Sequence, residues 1–166
     1  MRFKEKKMLL AIILIVIGII IDQVVKHVIG NYFDYNESTN GVKVIGEFFK
    51  ITYRENTGVV WGLGSNQAWL KPILVIIAFI ALAFFTYLFK FYDLKNHTIF
   101  SISLILLIIG TIGNLIDRLF LGYVIDYLEF DIFNFAIFNF ADSCLTIGTI
   151  LLLFDILFGK SGEFLK

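Results

Sequence analysis

The sequence predicts a membrane all-α fold: four transmembrane helices, with a small extracytoplasmic β-sheet or cradle between the first and the second. Three observations carry this. Hydrophobic residues make up 58% of the 166-residue chain and mean hydropathy is +0.85, whereas soluble domains run at about 45–50% apolar. Four apolar runs are each long enough to cross a bilayer. Between the first two lies a stretch, residues 42–54, of β-rich and partly alternating character. Formal net charge is +0, with no basic excess to suggest nucleic acid. A single cysteine, Cys144, excludes an internal disulfide.

In chain order, Arg2, Lys4, Lys6 and Lys7 precede a charge-free run, residues 8–21. A basic head before an apolar core resembles a secretory signal. No small-residue cleavage site follows, however, and the helical pattern continues past Asp22 and Lys26, so residues 8–29 are expected to form a retained membrane helix. At ~1.5 Å per residue that run covers about 33 Å, enough to span. Residues 30–68 change texture. Turn formers (Asn31, Asp34, Asn36, Ser38, Asn40, Gly41) lead into the 42–54 stretch, read as two to four short strands, and then a glycine-punctuated loop. Trp61 and Trp69 suit an interfacial belt. Residues 69–89 form the second predicted helix, with Pro72 tolerated in its first turn. Residues 99–120 form the third and 138–158 the fourth. Residues 121–137 read as a polar-side loop, and the whole chain as a single domain.

Orientation follows from the bases. Arg2, Lys4, Lys6, Lys7, Lys90, Lys95, Lys160 and Lys166 crowd into the two tails and the 90–98 loop. The longer 30–72 stretch holds Lys43, Lys50, Arg54 and Lys71, and the 121–137 loop holds none. The positive-inside tendency places both termini in the cytoplasm. Asp22, Lys26, Asn56, Asn114, Asp117, Arg118, Asp126, Asn139 and Asp142 then converge near the outer face.

An ionisable group within a span points to function and needs a partner. Asp142 stands at the mouth of an apolar segment with no further charge until Asp155, and its best partner is Asp126. The plainer reading of Asp142 is an acid favoured by the dipole at a helix N-terminus, which would hold if the helix began at Ala141. The plainer reading of Asp126 is a solvated loop acid, against which stand its flanks Val124-Ile125 and Tyr127-Leu128. Asp22 and Lys26, four apart, share a helix face. They read as a structural ion pair with an outward-snorkelling lysine, or as a substrate-orienting pair. Asn114, Asp117 and Arg118, spaced i, i+3, i+4, read as an Arg–Asp clamp or as groups that hold substrate and steady a carboxylate. A Ser143–Lys26 dyad is disfavoured because Asp22 would keep the lysine charged. A Cys144–His pair is disfavoured because His97 falls on the other side and His27 points elsewhere. Asp155 falls at the cytoplasmic end, away from this group. No His/Cys cluster suggests a metal, and Arg118 and Lys26 would repel one.

Five motifs in order now resemble a known family: Asp22-Gln23-Val24-Val25-Lys26; Asn56-Thr57-Gly58 with Trp61-Gly62; Gly113-Asn114-Leu115-Ile116-Asp117-Arg118; Val124-Ile125-Asp126-Tyr127; and Phe138-Asn139-Phe140-Ala141-Asp142-Ser143. Over nearly its whole length the chain resembles lipoprotein signal peptidase (signal peptidase II), the bacterial membrane aspartic peptidase. The resemblance implies four helices with an outward-facing β-cradle, and a catalytic pair Asp126 and Asp142. It also implies supporting or substrate-holding roles for Asp22, Lys26, Asn56, Gly58, Asn114, Asp117, Arg118 and Asn139. It implies a prolipoprotein substrate, cut just before its diacylglyceryl-modified cysteine, with no cofactor. The connection between the two acids is short and charge-poor by comparison with the family. No cysteine closely follows the chain's own first apolar stretch, so it is not expected to be such a lipoprotein itself. Expected partners are lipid-modified prolipoproteins and membrane lipids, not nucleic acid, with the chain acting as a monomer in the bacterial cell membrane. A proton-relaying transporter would need polar residues through the membrane thickness, yet residues 73–85 and 104–109 carry none. A non-enzymatic scaffold for lipid-anchored partners is the other alternative, which a cleavage assay separates.

Overall fold

The computed structural model describes residues 3–33, 41–46, 48–58, 67, 69–130 and 135–159. Trp61, and with it half of the expected aromatic belt, lies outside the described residues. Helix α1 runs Phe3–Tyr32, followed by strands β1 (Val42–Ile45) and β2 (Phe49–Asn56). Helix α2 (Leu70–Leu88) ends in a 3-10 turn at Phe89–Phe91, and helix α3 spans Thr98–Phe120. Strand β3 (Val124–Phe130) and helix α4 (Phe140–Phe158) complete the described chain. All four helices are long and apolar enough to cross a membrane.

Helix α3 is the axis of the bundle: 72% of its apolar window is buried, against 6% in α2. The other three wrap it and turn isoleucines, leucines and phenylalanines outward, such as Ile76, Ile80 and Phe84 on α2 and Ile150 and Phe154 on α4. An apolar face of that extent is one that lipid covers, since soluble monomers seldom expose more than a few hundred Å² in one patch. Helices approach α3 closely where side chains are missing. A Cβ at Gly18 of α1 would lie 2.5 Å from Ile109, and one at Gly148 of α4 would lie 2.9 Å from Leu107. Small residues allow such backbone approach where the bilayer supplies no hydrophobic drive between helices.

The sheet is three-stranded and antiparallel in the order β1-β2-β3. Its third strand comes from the 121–137 segment, which the sequence reading took for a polar loop. The apolar flanks of Asp126 are the reason. Val124, Ile125 and Tyr127 are buried, and β3 pairs with β2 in a register that sets Asn56 against Val124 and Arg54 against Asp126. Tyr53, Ile125 and Tyr127 form a core with Val25 and Ile29 of α1 and with Phe33 just past its end, which docks the sheet on one end of the bundle. The turn from α3 into β3 needs a left-handed residue, and Gly122 supplies it with φ of 79°.

The fourth helix starts two residues later than the sequence reading placed it. Phe138 is held by β3: its carbonyl accepts from the Tyr127 and Leu128 amides at 3.0 and 2.8 Å, and its own amide donates to Leu128 at 3.0 Å. Asn139 then becomes the N-cap of α4.

Candidate active site

Helix α4 begins with a capping box. The Asn139 side chain accepts from the Asp142 amide at 2.9 Å, and the Asp142 carboxylate accepts from the Asn139 amide at 3.2 Å. Asp142 is therefore a dipole-favoured acid in the first turn, as the plainer sequence reading held. The same geometry points its other oxygen into a buried polar group, where it accepts from Asn114 Nδ2 at 2.7 Å. Capping the helix therefore does not take Asp142 out of that polar group.

Asp126 arrives from β3 and meets the same asparagine. Asn139 Nδ2 lies 2.8 Å from Asp126 Oδ1, and Asn56 Nδ2 donates to Asp126 Oδ2 at 2.9 Å. The two acids predicted to act together thus both bond Asn139, one from a strand and one from a helix. Asp126 is 2% exposed. Burial first, and the neighbouring charge of Asp142 second, push the Asp126 carboxyl up to about 7. Asn56 is itself fixed, since its side-chain oxygen accepts the Gly58 amide at 3.0 Å.

Around this pair a second tier holds the elements that carry it. Asp22 of α1 accepts the Ala141 amide at 3.0 Å, so α1 caps the helix bearing Asp142. Asp117 of α3 accepts the Ile125 amide at 3.3 Å, so α3 anchors the strand bearing Asp126. Lys26 ties these two carboxylates together at 2.8 Å each and donates to Asn114 Oδ1 at 3.0 Å. Being 1% exposed, Lys26 does not snorkel outward as the sequence reading allowed. It turns inward because two carboxylates and an amide oxygen wait there. Asn114 sits at the hub, accepting from Lys26 and Asn139 and donating to Asp142.

One sequence expectation changes. Asp117 is clamped by Lys26 and Gln23 rather than by Arg118. Arg118 instead interacts through space with Asp142, Asp126 and Asp117, and lines a small recess with Asn56 and Lys71. The Ser143–Lys26 dyad is absent: Ser143 Oγ donates to the Asn139 carbonyl at 3.0 Å, and Lys26 is engaged elsewhere. Among the described residues no three His, Cys, Asp or Glu side chains group as a metal site.

Gln23 was missed as a site residue. Its Nε2 lies 3.0 Å from Asp117 Oδ1, 3.1 Å from the Gly113 carbonyl and 3.2 Å from Asp22 Oδ2. An amide inside an apolar span, three residues before Lys26, was the available signal. Tyr127 was missed too: its hydroxyl accepts the Phe140 amide at 3.3 Å, and an aromatic in a strand gives no hint of that.

A family model described as signal peptidase (SPase) II matches residues 14–158. The chain is 35% identical over 152 residues to a lipoprotein signal peptidase of Lactiplantibacillus plantarum, covering 92% of this chain and 97% of that one. It is 36% identical over 154 residues to that of Clostridioides difficile, covering 92% and 98%. For the Staphylococcus aureus protein the identity is 37% over 155 residues, covering 92% and 91%. A solved structure described as a bacterial membrane enzyme superposes with a TM-score of 0.78 at 34% identity, over 94% of this chain and 91% of that one. Four apolar helices, a three-stranded sheet on one end, and relatives that match nearly end to end lead to one conclusion: the chain belongs to the signal peptidase II family.

Proposed function

We propose that this protein is an aspartic endopeptidase of the bacterial cell membrane. It removes the signal peptide from prolipoproteins whose cysteine carries a diacylglyceryl group, cutting just before that cysteine. The observation that carries this reading is the pair Asp126 and Asp142, both bonded to Asn139, the first buried and the second half-buried where the sheet meets the bundle. Two neighbouring carboxylates cannot both ionise cheaply, so they share a proton and titrate as a unit. The ionised member takes a proton from a water, whose oxygen bonds to the scissile carbonyl carbon. The protonated member donates to the carbonyl oxygen as charge develops there. When the C–N bond breaks, a proton passes to the leaving amine and the pair returns to its starting state. Arg118 offsets the negative charge of the pair, and Asn56 and Asn139 keep the Asp126 oxygens aimed.

The crowding of lysine and arginine into the two tails and the 90–98 loop of the sequence supports an orientation with both termini in the cytoplasm and the acid pair near the outer face. The substrate's acyl chains then remain in the bilayer while its peptide reaches the pair.

The test is incubation of purified protein with a diacylglyceryl-modified precursor. A shortened product is expected from the native chain. None is expected from Asp142→Asn, which keeps a similar shape and melts within a few degrees of the native chain. Near-native turnover by that variant removes Asp142 from catalysis.

A further inference from the structure

At the end of the bundle away from the sheet, the start of α1, the 3-10 turn after α2 and the approach to α3 enclose a cavity of about 630 Å³. It takes no part in the chemistry above. Among the described residues its walls carry Lys7, Lys90, Lys95 and His97 against one acid, Asp93. Asp93 accepts the Lys95 amide at 2.9 Å and the Asn96 side chain at 2.7 Å within its own loop, and also interacts through space with Lys7. Counting the lysines and the carboxylate alone, three against one leave a formal excess of two positive charges. The Lys90 ammonium is held in place, 3.6 Å from the centre of the Tyr87 ring and 4.7 Å from that of Phe91. The Tyr92 hydroxyl donates to the Lys7 carbonyl at 3.3 Å, so the two walls are tied. The remaining lining is apolar: Met8, Phe89, Phe91 and Leu94. Beside it α1 exposes Leu9, Ile12 and Ile13.

We propose that this cavity binds the phosphate of an anionic membrane phospholipid, with its acyl chains lying along the exposed face of α1. A cationic rim over an apolar floor, at the level where four spans end, fits a group that is anionic at one end and hydrocarbon at the other. Free phosphate would use the rim and leave the floor unused. The inner leaflet is specified by the orientation given above. The binding itself is not, because a micelle or disc offers the lipid at both ends.

The purified full chain is melted in zwitterionic micelles titrated with phosphatidylglycerol, with phosphatidylcholine and inorganic phosphate as parallel arms. Phosphatidylglycerol is expected to raise the melting temperature saturably, and the other two are not. Juxtamembrane bases contribute about fivefold each toward anionic lipid. Lys7→Gln/Lys90→Gln/Lys95→Gln should therefore move the midpoint by roughly 100-fold, and the corresponding triple arginine variant should restore it. If the triple glutamine variant does not fold, Lys95→Gln alone, at an exposed position, should move the midpoint about fivefold. Lys43→Gln/Lys50→Gln, on the sheet, should not move it. The proposal is overturned if the cavity variants respond to lipid like the native chain, if the sheet variant shifts as far, or if inorganic phosphate matches the lipid. Precursor cleavage, followed in the same samples, stays at the native rate, so failure of this site and failure of the peptidase reading are seen separately.

Discussion

Replacing Lys26 by methionine removes the cation that two buried carboxylates share. Asp22 and Asp117 are 0% and 2% exposed, and each lies 2.8 Å from the ammonium. At an effective dielectric constant of about 20 each contact is worth about 6 kcal/mol of gross attraction. Desolvating three ions offsets most of that, so the intact cluster contributes little net stability. Removing one partner is different, because it leaves charge buried without compensation, at a cost of about 3–5 kcal/mol. For a chain of this length that is a fall in melting temperature of roughly 6–20 °C. Asp22 and Asp117 hold the elements that carry Asp142 and Asp126, so cleavage should fall by about 100-fold even where the variant is folded. The assay is a thermal melt in detergent beside precursor cleavage, on Lys26→Met and on Lys26→Met/Asp117→Asn. The double variant buries one charge fewer and should melt above the single one. A single variant that melts within about 2 °C of the native chain and cleaves normally, against the 6–20 °C expected, refutes the role given to this cluster.

Burial first, and the Asp142 charge second, push the Asp126 carboxyl from its ordinary 3.8 up to about 7 in the folded chain. The folded state therefore holds that proton more tightly, and its contribution to stability is present below about pH 4 and lost as pH rises through about 7. The native chain should lose melting temperature between pH 4 and pH 8 relative to Asp126→Asn, and turnover should decline above about pH 7 as the pair gives up its shared proton. Gly110→Ala should cost about 1–3 kcal/mol, because its Cβ would press on the Ala141 carbonyl and lie 2.7 Å from Leu145. Ile80→Ala, on the lipid side of α2, should leave the melt nearly unchanged. Asn139→Ala should lower cleavage because Asp126 loses its Nδ2 donor, while the residue-139 amide that Asp142 accepts from remains; the lost cap and the unmade buried bonds to Asn114 and the Ile125 carbonyl should cost about 2–4 kcal/mol. Circular dichroism on the same preparations separates the two effects.

Much of this was legible beforehand because membrane burial punishes polar groups, so those that remain announce themselves. Asp22, Lys26, Asn114, Asp117 and Asp142 stood out as charges and amides in apolar runs, and the four helices followed from length and hydropathy alone. The lysine's inward turn, the replacement of an Arg118–Asp117 clamp by Lys26 and Gln23, and the third strand did not stand out. Helical spacing tells which residues share a face, but not which neighbour that face meets. The short β3 segment reads as a loop until β2 is there to pair with it.

The sequence by itself determined the solvent, through the hydropathy of four runs, and the residue types at the site, through the few polar groups it retained. Only the tertiary structure decided which of those groups bond. Asn139 meets Asp126 because β3 is pinned to β2 and to Phe138, and that contact spans elements that no local spacing relates.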